Sequence, residues 1–299
     1  MKIKQYILYI YNWIYEKKIK ISDKILKRKI GVPQILTIDE TIDYIIKDNI
    51  SVSRYGDGEM KIVSGERIRF QEYDVNLSEK LRKILKNNTQ NLLVCVSDIY
   101  DDPKWMKNWA YEYTWKVVAK NRKNWSSYLN MDTIYGNAFI TRCYMDWKNN
   151  ERSEKWFSKL KLIWKDKEII FIEGKYSRLG FNNDLFSNAK SIERILCPEK
   201  DAYKKYNEIL KIAIRQPKEK LFLIALGPTA TVLAYDLCKN GYWAIDIGHI
   251  DIEYEWFLRK ATKKIPIKNK YTSEAQDGDK VSEYIGKQFE EQVIHRIDN

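Results

Sequence analysis

The sequence predicts an α/β protein built on a doubly wound, mostly parallel sheet. Two observations lead there. Short apolar runs of strand length recur at residues 50–54, 92–97, 169–173, 192–197, 221–226 and 243–247. Amphipathic stretches at helical spacing lie between several of them, at 77–86, 202–215 and 229–240, and another at 37–47 precedes the first. Strands that are apolar on both faces need cover on both sides, which helices crossing over a parallel sheet provide. In such a sheet ligands sit at the carboxyl ends of the strands, so the loops after these runs are where chemistry is sought.

Two segments fall outside the alternation. Residues 1–31 read as one or two amphipathic helices, with Ile3, Ile7, Ile10 and Ile14 at helical spacing, Tyr6, Tyr9 and Trp13 beside them, and a lysine cluster from Lys17 onward. Gly31-Val32-Pro33 ends that pattern and divides the chain into a segment 1–31 and a domain 32–299. Residues 101–164 are helical in pattern and rich in tryptophan, with Trp105, Trp109, Trp115, Trp125, Trp147, Trp156 and Trp164, most of them expected in the core. Asp102-Pro103 is the expected start of its first helix, Asp as cap and Pro in the first turn.

The 299 residues suffice for a large core. The net charge is +12, yet residues 1–31 alone hold nine Lys/Arg and two acids, a net of +7, which leaves +5 for the other 268. The body is therefore not expected to bind nucleic acid. Aromatic and aliphatic residues next to lysines suit an anionic membrane interface, and equally a helix that packs on the body and shows its lysines to water. No apolar run is long enough to span a bilayer and no cleaved signal peptide is expected. Cys95, Cys143, Cys197 and Cys238 are widely spaced and form no C-x-x-C pair, which points to reduced thiols in a cytoplasmic protein.

Four strand-end segments carry candidate chemistry. In Arg54-Tyr55-Gly56-Asp57-Gly58-Glu59, extended backbone would project Asp57 and Glu59 to the same side, where they could share a hard divalent cation beside Arg54. Asp-Gly is also an ordinary turn dipeptide. After the run 169–172, Gly174 permits close backbone approach, and Ser177, Arg178 and Asn183 offer donors to a diphosphate or ribose. Gly227, Pro228 and Thr229 open a helix whose free N–H groups could hold an anion. The stretch 246–256 packs Asp246, Asp251, Glu253, Glu255 and His249 into a run without lysine. One of these carboxylates could serve as general base, with His249 holding a phosphate or orienting the site. There is no G-x-G-x-x-G, P-loop or H-E-x-x-H, and two histidines exclude a histidine-rich metal site.

Taken together, R-Y-G-D-G-E (54–59), E-G-x-x-S-R-x-G-x-x-N-D-L-F (173–186), A-L-G-P-T-A (225–230) and D-x-G-H-x-D-x-E-Y-E-W (246–256) resemble the bacterial glycosyltransferases of the GT-D fold over residues 36–256. The resemblance implies a Rossmann-like core and transfer, with inversion, of a hexose from a UDP-sugar such as UDP-glucose or UDP-galactose. It implies a divalent cation, Mn2+ or Mg2+, held by Asp57 and Glu59. Its late His and Glu map onto His249 and Glu255, with Asp251 and Glu253 close enough to leave the base open. Arg54, Gly174, Ser177, Arg178, Asn183, Gly227, Pro228, Thr229 and His249 would then contact the donor. The expected acceptor is a glycan, a lipid-linked oligosaccharide or a glycoprotein, and the basic N-terminus favours a lipid-linked one and a peripheral place at the inner face of the plasma membrane. The rival readings are another nucleotide-sugar enzyme, or a non-catalytic protein that binds polyanions or membrane surfaces.

Overall fold

A computed structural model of the chain describes residues 2–86, 89–283 and 286–298. Met1 and Asn299, the outer ends of the two expected segments, lie outside that description. The elements in chain order are α1 (Lys2–Ile30), β1 (Gln34–Ile35), α2 (Ile38–Asp48), β2 (Ser51–Tyr55), α3 (Asp57–Val63), α4 (Val75–Leu85), β3 (Leu92–Val96), α5 (Asn108–Tyr128), β4 (Ile134–Asn137), α6 (Ser153–Trp164), β5 (Glu168–Gly174), β6 (Ser191–Cys197), α7 (Tyr206–Ala213), β7 (Leu221–Ala225), α8 (Pro228–Lys239), β8 (Trp243–Asp246), α9 (Ile250–Leu258), α10 (Lys287–Glu290) and β9 (Val293–Arg296).

The nine strands form one sheet in the order β1-β4-β3-β2-β8-β7-β5-β6-β9, and every pairing is parallel. All six apolar runs of the sequence are strands. Ile169 to Ile172 and Leu221 to Ile224 are essentially inaccessible, as strands covered on both faces must be, and each such side chain contributes about 1.5–3 kcal/mol of burial.

Connections that step toward β1 carry α3, α4, α5, α7 and α8; those that step toward β9 carry α2, α6, α9 and α10. Right-handed crossovers place these two sets on opposite faces. Accordingly α8 packs on β2 and β8 and touches α3, α4 and α7, while α2 packs on α6. The winding reverses at the β2–β8 pair. The chain leaves β2 toward β3, and reaches β8 from β7 on the other side. Such a reversal leaves a crevice at the carboxyl ends of the two strands.

Local chemistry explains several boundaries. Thr37 and Glu40 form a reciprocal capping box that starts α2, and Asn49 in the left-handed region ends it. Pro228 sits at the first position of α8, where its missing N–H costs nothing.

Two expectations are corrected. The region 101–164 is not all helix, since β4 lies within it; that strand has one aliphatic residue and carries no apolar run to find. Asp102-Pro103 does not start a helix: α5 begins at Asn108, and residues 103–106 turn instead, with Met106 N–H bonded to Pro103 O at 2.9 Å. Lys2–Ile30 form one helix, within the one or two expected there, and it packs on α5. Trp115, Trp125, Trp156 and Trp164 are buried, but Trp109 is exposed. Cys95, Cys143 and Cys197 are buried free thiols and Cys238 is half-buried.

Candidate active site

The crevice is a cavity of about 660 Å3. Arg54, Gly56, Asp57 and Glu59 reach it at and just after the end of β2, and Gly174, Ser177 and Leu179 at and just after the end of β5. Leu226 and Gly227 follow β7, and Gly248, His249 and Asp251 follow β8. Four consecutive positions of the sheet thus direct the strand-end segments singled out by sequence toward one volume.

Asp57 and Glu59 line it, though not on extended backbone. Gly56 is the cap of α3, and Asp57 and Glu59 are its first and third residues. The reason is a capping box: the Gly56 N–H donates to Glu59 Oε2 at 2.7 Å, which satisfies a donor the helix cannot. Asp57 Oδ2 accepts from Lys61 Nζ at 3.0 Å and from the Tyr113 hydroxyl at 3.2 Å. Burial raises the Asp57 pKa, but Lys61, Arg142 and Tyr113 outweigh it and hold the carboxyl below its usual range. Each carboxylate keeps a second oxygen that accepts no hydrogen bond among the described residues. Two hard oxygen donors beside a cavity of this size fit a magnesium- or manganese-type ion that takes its remaining ligands from water and a phosphate group. No cluster of three or more His, Cys, Asp and Glu suited to a metal occurs among the described residues, so a cation here would depend on such outside ligands.

Arg54 is held at the floor. Its Nε lies 3.7 Å from Asp246 Oδ1 and has no hydrogen-bond partner. Burial pushes the Asp246 carboxyl up to about 7, with Arg54 opposing and Glu59 adding to the shift. Gly248 N–H donates to Asp246 Oδ1 at 3.1 Å and Thr231 Oγ1 lies 3.0 Å from Oδ2, which fixes the turn that presents His249. Gly227 adopts φ 55°, ψ −142°, and a Cβ there would meet Phe70 Cε2 at 2.4 Å; only glycine fits this close approach.

His249 is neutral through most of the pH range. Burial drives its pKa down to about 4, against the pull of Glu274, whose Oε1 is 3.8 Å from Nε2. Its Nε2 is buried without a hydrogen-bond partner. It therefore meets a phosphate as an uncharged group, not as the cation that phosphate binding would favour. Glu274 is ionised: burial opposes this, but Arg142, His249 and Lys264 hold its pKa far below the carboxylate range, and Arg142 and Lys264 both bond to it.

Several predicted residues lie elsewhere. The buried Arg178 guanidinium is consumed by backbone carbonyls, Asn269 at 2.9 Å and Ser282 and Glu283 beside it, so it ties the 173–186 loop to the C-terminal region instead of facing the cavity. Asn183 donates to Asp251 Oδ1 and Glu255 Oε1, both at 2.8 Å. Glu255 is buried on α9, accepts from Lys270 Nζ at 2.9 Å and pairs with Arg259; it does not reach the cavity. Glu253 also points away, accepting from the Tyr144 and Met145 N–H groups at 3.0 and 2.8 Å, and burial raises it to about 7. Asp251 remains in the wall, held by Lys270 Nζ at 2.6 Å, Asn183 and the Gly180 N–H at 2.9 Å. Pro228 and Thr229 sit behind Gly227, and the Thr229 hydroxyl is buried 3.4 Å from Gln71 Oε1.

Sequence reading missed Lys61, Tyr113, Arg142, Lys264 and Glu274, all in the lining. They come from helices and loops without a strand-end signal. It also missed the role of Glu173, a buried carboxylate that pairs with Arg194 Nη1 at 2.5 Å and accepts from the Leu179 N–H at 2.8 Å, holding the 174–179 loop in place.

Comparisons with known proteins agree with this architecture. Residues 52–275 match the family described as "Glycosyltransferase GT-D fold". The chain is 36% identical over 281 residues to the glycosyltransferase GlyD of Streptococcus pneumoniae serotype 4, which covers 93% of this chain and 34% of that protein. It is 42% identical over 244 residues to the probable glycosyl transferase Gly of Streptococcus gordonii, covering 80% and 35%. It thus spans about a third of the length of the curated relatives it matches. A solved structure described as a domain of unknown function 1792 with a distinct glycosyltransferase fold superposes with TM-score 0.88 at 36% identity, over 93% of this chain and all of that one. Another, a glycosyltransferase (DUF1792) from Streptococcus sanguinis, gives 0.85 at 36% identity, over 89% of this chain and all of that one.

Proposed function

The chain belongs to the GT-D glycosyltransferase fold family, and we propose that it transfers a hexose from a UDP-sugar to an acceptor hydroxyl, with a divalent cation and inversion at the anomeric carbon. The observation that carries this reading is the convergence of Arg54, Asp57 and Glu59 with Gly174, Ser177 and Gly227 on one cavity at the β2–β8 reversal.

Arg54 and the glycine backbones at 174 and 227 would receive the diphosphate, Arg54 through charge-assisted hydrogen bonds from a guanidinium that already has an unpartnered Nε. Asp57 and Glu59 would hold the cation, whose chemistry is Lewis-acid stabilisation of the charge that develops on the departing diphosphate. Lys61 keeps Asp57 ionised and oriented for that task.

Of the candidates for proton acceptor, His249 and Asp251 face the cavity. Asp251 already accepts three hydrogen bonds. His249 is uncharged and has the unpartnered nitrogen, and Glu274 beside it would stabilise the imidazolium formed when the acceptor proton is taken. One displacement with one base inverts the anomeric centre. Such a base contributes about 10²–10⁴ in rate, so His249→Gln should bind donor and lose transfer by that factor.

The test is UDP release from a panel of UDP-sugars, with manganese and then with excess chelator, followed by the anomeric configuration of the product by NMR. Metal-dependent release from one sugar and an inverted product support the reading. Neither release nor UDP binding in any condition would overturn it and favour a polyanion-binding role.

A further inference from the structure

We propose that α1 is a docking element for anionic lipid bilayers, fixed rigidly to the wall of the cavity. Residues 5–15 contain no charged side chain, and aliphatic or aromatic residues surround the whole helix there: Tyr6, Ile7, Leu8, Tyr9, Ile10, Tyr11, Trp13, Ile14 and Tyr15 are all exposed, Tyr9 to 67%. A helix apolar all round is not stable against water and needs a cover. Its eleven residues measure about 16 Å, close to half the hydrocarbon thickness of a bilayer. No helix among the described residues is long and apolar enough to cross a membrane, so the fit is to an interface.

Charge selects the occupant. The two acids of the segment are turned to the body: Glu16 pairs with Lys116 at 2.5 Å and Asp23 with the buried Arg122 at 2.5 Å. Lys17, Lys18, Lys24, Arg28 and Lys29 stay exposed. A tyrosine- and tryptophan-rich end followed by an outward cationic face complements an anionic headgroup layer, where aromatic rings settle at the interface and lysines meet phosphate. A second copy of the chain would bring the same positive charge to the contact.

The attachment is stiff. Lys20 lies over the Trp115 ring at 4.4 Å, and Arg122 also donates to Tyr100 O at 2.8 Å. These residues sit on α5, whose Trp109, Ala110, Tyr113 and Val117 line the cavity. Docking through α1 therefore holds that wall close to the lipid surface. If the transferase reading above is right, the acceptor it serves is carried by lipid.

The experiment is co-sedimentation of the full chain with vesicles of phosphatidylcholine alone, or mixed with phosphatidylglycerol, at low and high salt. Wild type should partition onto the mixed vesicles, and salt should weaken binding. A Lys17→Glu, Lys18→Glu, Lys24→Glu variant should lose at least about a hundred-fold in partition. Lys218→Glu, Lys239→Glu, placed on other elements, should partition as wild type, and circular dichroism reports folding of both. Tyr9→Asp, Ile10→Asp should also abolish binding. Equal partition of wild type and the triple variant, or none by wild type, would overturn the proposal. So would a concentration-dependent dimer in sedimentation equilibrium that Tyr9→Asp, Ile10→Asp abolishes. None of these readouts depends on UDP or on activity, so failure here is distinct from failure of the transferase reading.

Discussion

The Arg54 guanidinium rests against Gly248: a Cβ at position 248 would stand 2.4 Å from Arg54 Nη2, and the glycine adopts φ 46°. The end of β8 thus sets the position of the cation at the end of β2. Gly248→Ala should keep the fold at a backbone cost of about 1–2 kcal/mol and displace Arg54. Calorimetry should then show weaker UDP binding. Unchanged affinity would remove Arg54 from the donor site.

Glu59 has two duties that two substitutions separate. Glu59→Gln keeps an oxygen to accept the Gly56 N–H, so thermal stability should stay near wild type while metal-dependent UDP binding is lost. Glu59→Ala should lose both, with about 0.5–2 kcal/mol of stability lost with the cap. If Glu59→Gln bound UDP and manganese as wild type does, Glu59 would be a cap alone.

Glu255→Gln tests the proposal that the base is not Glu255. Glu255 lies in the buried group with Lys270, Asp251 and Asn183. Its neutralisation should cost about 1.5–3 kcal/mol of stability by weakening hydrogen bonds to charge, while the folded fraction binds donor normally and turns over. Full stability with abolished turnover would return the base to Glu255.

His249 supplies a pH signature. It titrates at about 4 in the fold against 6.5 in the free side chain. Between those values the unfolded chain binds a proton that the folded chain refuses, so this contribution to stability falls as pH falls from 6.5 toward 4. Asp246 and Glu253, raised to about 7, act with the opposite sign between the usual carboxylate range and that value. The His249 part is therefore read from the difference between wild type and His249→Gln in denaturant titrations. That difference should change by up to about 3 kcal/mol across the window, in favour of the variant at the acid end. A flat difference would mean that His249 titrates normally.

Much of this was legible because the strands that build the site are apolar on both faces, and the loops after them hold glycine and carboxylates. The strands β1, β4 and β9 were not legible: the first has two residues, the second one aliphatic side chain, and the third, Val-Ile-His-Arg, is mostly exposed. The Asp57–Glu59 pair does line the crevice, but on the first turn of a helix instead of extended backbone, because a Glu three residues after Gly56 favours a capped helix over an extended turn. The density of acids in 246–256 was visible but their partners were not. Lys270 and Lys264 sit in a lysine-rich stretch that reads as solvated surface, and Arg142 lies in a run without a strand-end signal.

A metal-assisted UDP site in the β2–β8 crevice, as proposed above, makes UDP binding depend on both Asp57 and manganese. The most direct measurement is isothermal titration of UDP into wild type and Asp57→Ala, with manganese and with chelator. Binding is expected only for wild type with manganese. Equal binding in all conditions, unaffected by Asp57→Ala, would contradict it.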